Sequence, residues 1–395
     1  MIEHPKEKSL ADQSRLRDIG EDAIIAALRR FGPLSRNELA ERANLGRTTA
    51  FTIAKNLIGR GVLVEAQHNR QLRKRGRPQT IFALNPTIAL FAGIEVARRR
   101  IRVLLINAAH EQVAYGEDEL PSPGDPVALE LVLALLERIA RESGVSLQQI
   151  KHLGLGFSGL VDPVVPSQAI RKLVAGLEAK LGFAVRIANN SHLACLAESM
   201  WGTARNHNQV LYLHWSSGVG GGWVKDGALV TGAHGMAGEF GHFPIDPKNG
   251  QPCYCGARGC LETVAGLEAL LLKVQKLGRN VATQHDLVEA VRRGDEIAAR
   301  VFSEAAGQVG RAVASAAIIL DPSAIVLGGE VSVLGELIVA PVRRSIETML
   351  TPGFPRKIEV MAGQLGELGA VRGAVALVLP QIRFAREADK PLQAS

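Results

Sequence analysis

Between Gly238 and Glu262 the chain sets a glutamate, a histidine, three cysteines and a second glutamate in one short stretch: Glu239, His242, Cys253, Cys255, Cys260 and Glu262. Three of the four cysteines of the protein lie there. One imidazole and three thiolates make a full tetrahedral set for zinc, with no position left for a reactive water, so the metal chemistry they suggest is structural. The loop so pinned carries Glu239, His242 and Glu262, groups suited to gripping the hydroxyls of a polyhydroxylated small molecule. Cysteines also serve as small core hydrophobes, but Cys253, Cys255 and Cys260 sit in a glycine-broken stretch after Pro252. Four cysteines in a long chain with no apolar leader behind Met1 also argue against disulfides. Cys195, alone on an apolar helical stretch, reads as core.

The elements that must carry this loop come in two groups. The net charge of +7 is uneven: residues 1–86 hold 16 Lys and Arg against 9 Asp and Glu, which accounts for the whole excess. A basic head on a neutral body points to a polyanionic partner for the head and a separate task for the rest. At 395 residues the chain exceeds one ordinary domain. No apolar run approaches the ~18 residues of a membrane span, and a cytoplasmic protein without a membrane partner is expected.

The head reads as a winged helix-turn-helix. Glu21–Phe31 is a helix with Ile24, Ile25, Leu28 and Phe31 on one face. Ser35 and Glu38 form a capping box for a second helix that runs to about Ala43. Asn44-Leu45-Gly46 turns into a third helix, Arg47 to about Gly59. Its outward face carries Arg47, Thr48, Thr49, Thr52 and Lys55, the hydroxyls and cations that meet base edges. Phe51 on that face either touches a thymine methyl or is buried. Two short strands, Gly61–Val64 and Gln79–Leu84, flank a wing whose tip holds Arg73, Lys74, Arg75 and Arg77. Arg75-Gly76-Arg77-Pro78 resembles the core of an AT-hook, which lays arginines into a narrow minor groove. The expected partner is double-stranded operator DNA.

From about Leu90 strands alternate with helices in two successive sets, which implies an α/β body of two lobes around a cleft. Ligands of such sheets bind beyond the carboxyl ends of strands, where Asn189 and Asn190 stand. Gly218–Gly222 and Gly328-Gly329 read equally as phosphate-approaching turns or as tight hairpins.

These residues carry a resemblance. Residues 87–380 resemble the ROK family of sugar kinases and sugar-responsive repressors, through Gly235-Met236-Ala237-Gly238-Glu239-Phe240-Gly241-His242, the Cys-x-Cys-Gly-x-x-Gly-Cys-Leu-Glu run at 253–262, Gly159, the glycines at 218–222 and Val326-Leu327-Gly328-Gly329. The resemblance implies an actin/hexokinase-like (ribonuclease-H-like) body: lobe 1 at 87–205, lobe 2 with its zinc loop at 206–379, and a C-terminal helix at about 380–395 returning to lobe 1. It implies zinc on His242, Cys253, Cys255 and Cys260. It also implies sugar hydroxyls held by Glu239, His242 and Glu262 from one side and by Asn189 and Asn190 from the other. His242 would serve both through its two ring nitrogens.

Two departures separate the chain from the kinases it resembles. Those carry an Asp-x-Gly-x-Thr loop for ATP phosphates, where this chain has Glu95-Val96-Ala97-Arg98-Arg99-Arg100. They also carry an Asn-Asp pair whose aspartate is the general base, where this chain has Asn189-Asn190. An amide has no usable basicity, a loss of ~10²–10⁴-fold. A sugar-responsive regulator, most simply a repressor, is expected rather than an enzyme, acting as a homodimer or homotetramer on two half-sites. The alternatives are an ATP-dependent sugar kinase with an attached DNA-binding domain, and a repressor controlled by a protein docking on the body.

Overall fold

The computed structural model describes residues 5–66, 80–121, 127–159, 161–162, 165–350 and 358–379, with side chains from residue 17 onward. The head comprises α1 (Pro5–Phe31), β1 (Leu34–Ser35), α2 (Arg36–Arg42), α3 (Arg47–Gly59), β2 (Leu63–Ala66) and β3 (Ile81–Leu84), with strand order β1-β3-β2. α1 begins well before Glu21. The capping box forms: the Ser35 hydroxyl accepts from the Glu38 amide, and the Glu38 carboxylate accepts from the Ser35 amide at 2.9 Å. Asn44 takes a left-handed conformation (φ 50°) at the turn before α3. Ile24, Leu28, Leu39, Ala50, Ile53, Leu57 and Phe82 close a small core.

The body follows with β4 (Leu90–Val96), β5 (Arg100–Asn107), β6 (Gln112–Glu119), α4 (Leu129–Glu142), β7 (Ile150–Phe157), α5 (Gln168–Leu181), β8 (Val185–Asn189) and α6 (Asn190–Met200). These strands make a mixed sheet in the order β6-β5-β4-β7-β8. β9 (Gln209–Trp215), β10 (Val219–Lys225), β11 (Ala228–Leu229), α7 (Glu262–Ala265), α8 (Leu267–Lys276), α9 (Gln284–Arg292), α10 (Glu296–Leu320), β12 (Ala324–Gly328), α11 (Glu336–Met349), β13 (Glu359–Ala362) and α12 (Gly369–Val378) complete it. The second sheet runs β11-β10-β9-β12-β13. α4 and α5 pack with the first sheet in one apolar core, and α7 to α11 with the second sheet in another.

Two sequence expectations are refined here. Gly218 belongs to the tight turn of the β9–β10 hairpin, its carbonyl accepting from the Ser216 amide at 3.0 Å, while Gly220, Gly221 and Gly222 lie within the strand β10. A Cβ on Gly220 would meet Ser191 Oγ at 2.3 Å, and one on Gly222 would meet Cys195 Cβ at 2.7 Å, so the missing side chains let α6 lie directly on the sheet. The helix expected at 380–395 lies outside the described residues. Besides α4 and α5, α12 packs on the first sheet, and it lies inside the stretch the sequence assigns to the second lobe. Gly154 makes that contact possible, since a Cβ there would sit 1.8 Å from the Ala374 carbonyl oxygen. Cys195 is fully buried in the core beneath α6.

Candidate functional site and metal centre

The 235–262 segment is irregular and held by its own backbone. Phe240–His242 is a single 3₁₀ turn, and Pro244 bridges to Cys260 and Pro252 to Arg258. The Cys253 amide donates to the Ala257 carbonyl at 2.8 Å. Gly259 (φ 65°) packs its Cα against Asp246, where a Cβ would collide with the carbonyl oxygen. This frame gathers one ligand atom each from His242, Cys253, Cys255 and Cys260, all within 4.8 Å of one another.

Zinc fits this set. Tetrahedral zinc with its usual bond lengths needs edges of about 3.8 Å between sulfurs and about 3.5 Å between sulfur and nitrogen. The Cys255 and Cys260 sulfurs lie 3.7 Å apart, and Cys253 Sγ lies 3.6 Å from His242 Nδ1. A disulfide requires about 2.05 Å, and the cysteines are free. Burial pushes the Cys260 thiol up to about 12, a cost that thiolate coordination to a cation would offset.

His242 presents Nδ1 to the cysteines, and its Nε2 lies 3.1 Å from the hydroxyl of Tyr254. The sequence reading has that second nitrogen facing a ligand. Here Tyr254 stands in front of it, so the imidazole reaches a ligand only if this exposed ring swings away. Tyr254 was legible as an aromatic hydroxyl between two metal-binding cysteines and was missed.

Glu239 and Glu262 flank the metal loop. Burial, with the charge of Glu262 adding to it, pushes the Glu239 carboxyl up to about 7, so near neutral pH it can donate as well as accept. Glu262 accepts from the Val219 amide at 3.3 Å, beside Gly218, which has no side chain to displace it. From the β4–β5 turn, Arg98 reaches Glu268 at the start of α8 at 3.7 Å, an exposed pair.

Asn189 and Asn190 are committed to the protein. Asn189 caps α6, accepting from the Ser191 amide at 2.6 Å and donating to the Gly159 carbonyl at 2.6 Å. Asn190 donates to the Val96 carbonyl at 3.1 Å and to Ser158 Oγ at 3.2 Å, while its Oδ1 is buried without a partner. Neither hydrogen-bonds Glu239 or Glu262. The two groups are linked through the first turn of α6, where buried His192 meets the Ala237 carbonyl, two residues before Glu239, at 2.8 Å. His192 is a further residue that sequence reasoning missed; its partner lies 45 positions away, and no spacing signals it.

At the phosphate-loop position, buried Glu95 pairs with buried Arg102 at 3.0 Å. Arg102 also reaches Glu117 at 3.1 Å and the Glu367 carboxylate. The β4–β5 turn is closed by the Ala97 amide on the Arg100 carbonyl.

On the head, Arg47, Thr48, Thr49, Thr52 and Lys55 are all exposed on α3. The Thr52 hydroxyl turns back to the Thr48 carbonyl at 3.0 Å. Phe51 is half-buried, with the Arg36 guanidinium 3.6 Å from its ring centre and the Lys55 ammonium 4.8 Å away. It is a platform that sets the height of two cations. Arg73, Lys74, Arg75 and Arg77 lie outside the described residues.

Residues 91–381 match the ROK family. The chain belongs to the ROK family. Its similarity to the DNA-binding transcriptional dual regulator NagC of Escherichia coli extends over the head as well: 25% identity over 381 residues, covering 92% of this chain and 93% of NagC. The crystal structure of a ROK family transcriptional regulator homologous to the E. coli MLC protein shares the fold, with a TM-score of 0.73 at 22% identity over 92% of this chain and 96% of that one. A ROK glucokinase from Streptomyces griseus, solved with glucose and AMPPNP, matches with a TM-score of 0.63 at 26% identity, covering 73% of this chain and 99% of its own. The ROK body is thus common to kinases and regulators, and the kinase match leaves about a quarter of this chain uncovered.

Proposed function

We propose that this ROK protein is a transcriptional repressor that binds operator DNA through α3 and the wing, changes its DNA affinity when a sugar or sugar derivative enters the cleft, and does not phosphorylate that sugar. The observation that carries the reading is the Glu95–Arg102 ion pair. It fills the position where sugar kinases of this family handle phosphates, in a chain whose recognition helix stays exposed. Asn190 supports it, because its amide nitrogen is spent on Val96 and Ser158 and offers no base. Zinc on His242, Cys253, Cys255 and Cys260 would supply a fixed cross-link. The chain's own contribution is to hold Glu239 and Glu262 on the pinned loop as hydrogen-bond partners for sugar hydroxyls. The heads act in pairs, as a homodimer or homotetramer in the cytoplasm, because one winged helix makes too few contacts for tight specific binding.

Differential scanning fluorimetry with N-acetylglucosamine, glucose and xylose tests the ligand class. A binding sugar raises the melting temperature in proportion to its occupancy, and Glu239→Ala abolishes the rise. If no sugar or sugar phosphate stabilises the protein while a protein partner does, the small-molecule reading fails.

A further inference from the structure

We infer that α6 is the element that couples the sugar site to the DNA-binding head, and that Trp201 at its C-terminal end is the positioning residue through which it does so. The inference rests on the effector reading above.

The N-terminal end of α6 borders the proposed sugar site: Asn189 caps the helix, Asn190 begins it, and His192 in its first turn holds the Ala237 carbonyl of the loop that carries Glu239. Every residue from Asn190 to Ser199 is buried. The helix lies between β9 and β10 on one side and α12 on the other. A helix confined on all sides cannot bend toward one neighbour without opening another, so a displacement of its first turn is passed along its axis. That axis is about 16 Å long.

At the far end the head is waiting. The Trp201 indole N–H lies 3.1 Å from the Arg29 carbonyl and 3.2 Å from His110 Nδ1. Arg29 is in the last turn of α1, and its backbone meets both Trp201 and the His110 ring, so α1 ends against the C-terminal end of α6 and the β5–β6 turn. Arg30 of the head donates back to the Arg205 and His207 carbonyls, at 2.6 and 3.1 Å, in the segment that follows α6. Arg29 reaches the Leu379 carbonyl just past α12, the other helix packed on α6, at 2.6 Å. All these contacts stand on α6, on the chain leaving it, on its neighbour α12 or on the β5–β6 turn. A small axial or rotational shift of α6 changes the seat of α1, and with it the spacing of two recognition helices in an oligomer.

Coupling is reciprocal, so it can be read without knowing the effector. Trp201→Phe keeps an aromatic ring and removes the N–H. Hydrogen–deuterium exchange of the ligand-free protein is measured at residues 235–242, far from the substitution, with exposed Glu41→Ala on α2 as control. We expect exchange at 235–242 to change about threefold or more in Trp201→Phe and to stay at the parent level in the control, a coupling at the lower end of the allosteric range. Arg30→Ala breaks the seam from the head side and is expected to do the same, which guards against a folding defect of the first variant. Exchange at 235–242 unchanged in both variants overturns the inference. In a second arm, DNA selected by the protein from a random pool is titrated with and without N-acetylglucosamine, glucose or xylose. A sugar that shifts the parent's DNA affinity about 5-fold or more should still bind Trp201→Phe, within about threefold of its affinity for the parent, and shift the variant's DNA affinity less than about 2-fold. A full shift in the variant also overturns the inference. A parent that shows no shift with any bound sugar refutes the effector reading instead, while the ligand-free exchange still decides the role of α6.

Discussion

Asn190→Asp restores the carboxyl that the sugar kinases of this family use as a base, and the geometry predicts that it does not restore catalysis. Asn190 Nδ2 donates to the Val96 carbonyl at 3.1 Å and to Ser158 Oγ at 3.2 Å, from a side chain only 6% exposed. In the aspartate a carboxylate oxygen takes the place of that nitrogen. The Ser158 hydroxyl can rotate to donate to it, but the Val96 carbonyl cannot, and two acceptors then face each other in a buried site. An unsatisfied buried carbonyl costs about 1–3 kcal/mol, and an unpaired buried carboxylate costs more. The cheaper state is the protonated acid, donating its proton to Val96, and a protonated acid is no general base at neutral pH. At about 2 kcal/mol the melting temperature of a body this size falls by about 3 °C. The assay is differential scanning fluorimetry together with coupled ATP turnover in the presence of glucose or N-acetylglucosamine. Sugar-dependent turnover appearing ~10²-fold above the parent, with an unchanged melting temperature, would refute the reasoning.

Other outcomes follow from the same geometry. Protein purified without chelator should hold one zinc per chain, and Cys255→Ser should lose it and lower both the melting temperature and sugar affinity, because the same loop carries Glu239 and Glu262; elemental analysis and fluorimetry check this. Burial and the facing Arg29 charge push the His110 imidazole down to about 4, so the seam holds it neutral. Seating of α1 is therefore fully stable above about pH 6.5 and weakens as the pH falls toward 4, by at most about 3 kcal/mol. Exchange of α1 amides should rise over that window, and His110→Gln should flatten the rise. Arg47→Ala or Thr49→Ala should alter base preference. The Arg75→Ala, Arg77→Ala double variant should weaken binding at AT-rich flanks and lower the salt slope by about 2 if each arginine meets one phosphate, which DNA titrations at several salt concentrations would show.

What the sequence made legible, and what it hid, follows from how far apart the interacting residues lie. Ser35 and Glu38 sit three positions apart and act on each other, so the pattern alone fixes the start of α2. The cysteines and His242 likewise lie close in sequence, and the fold gathers their ligand atoms within 4.8 Å of one another, as a metal site requires. β10 was hidden because a strand of glycines carries no alternating side chains to reveal its period. α12 was hidden because Gly369–Val378 is buried almost all round and shows no amphipathic stripe. The roles of Asn190 and Glu95 were half legible. Their types show lost basicity and a changed phosphate loop, but that Asn190 is tied to Val96, 94 positions away, is a fact of folding. So is the contact of Trp201 with Arg29, 172 positions apart.

The most direct test of the account is a titration of DNA affinity against sugar at fixed salt, using DNA the protein selects from a random pool. The account predicts that one sugar of the panel shifts the dissociation constant about 5–150-fold, that Glu239→Ala removes the shift, and that no ATP is consumed. A sugar that binds in the cleft and leaves DNA affinity unchanged, or one that is phosphorylated at the expense of ATP, contradicts it.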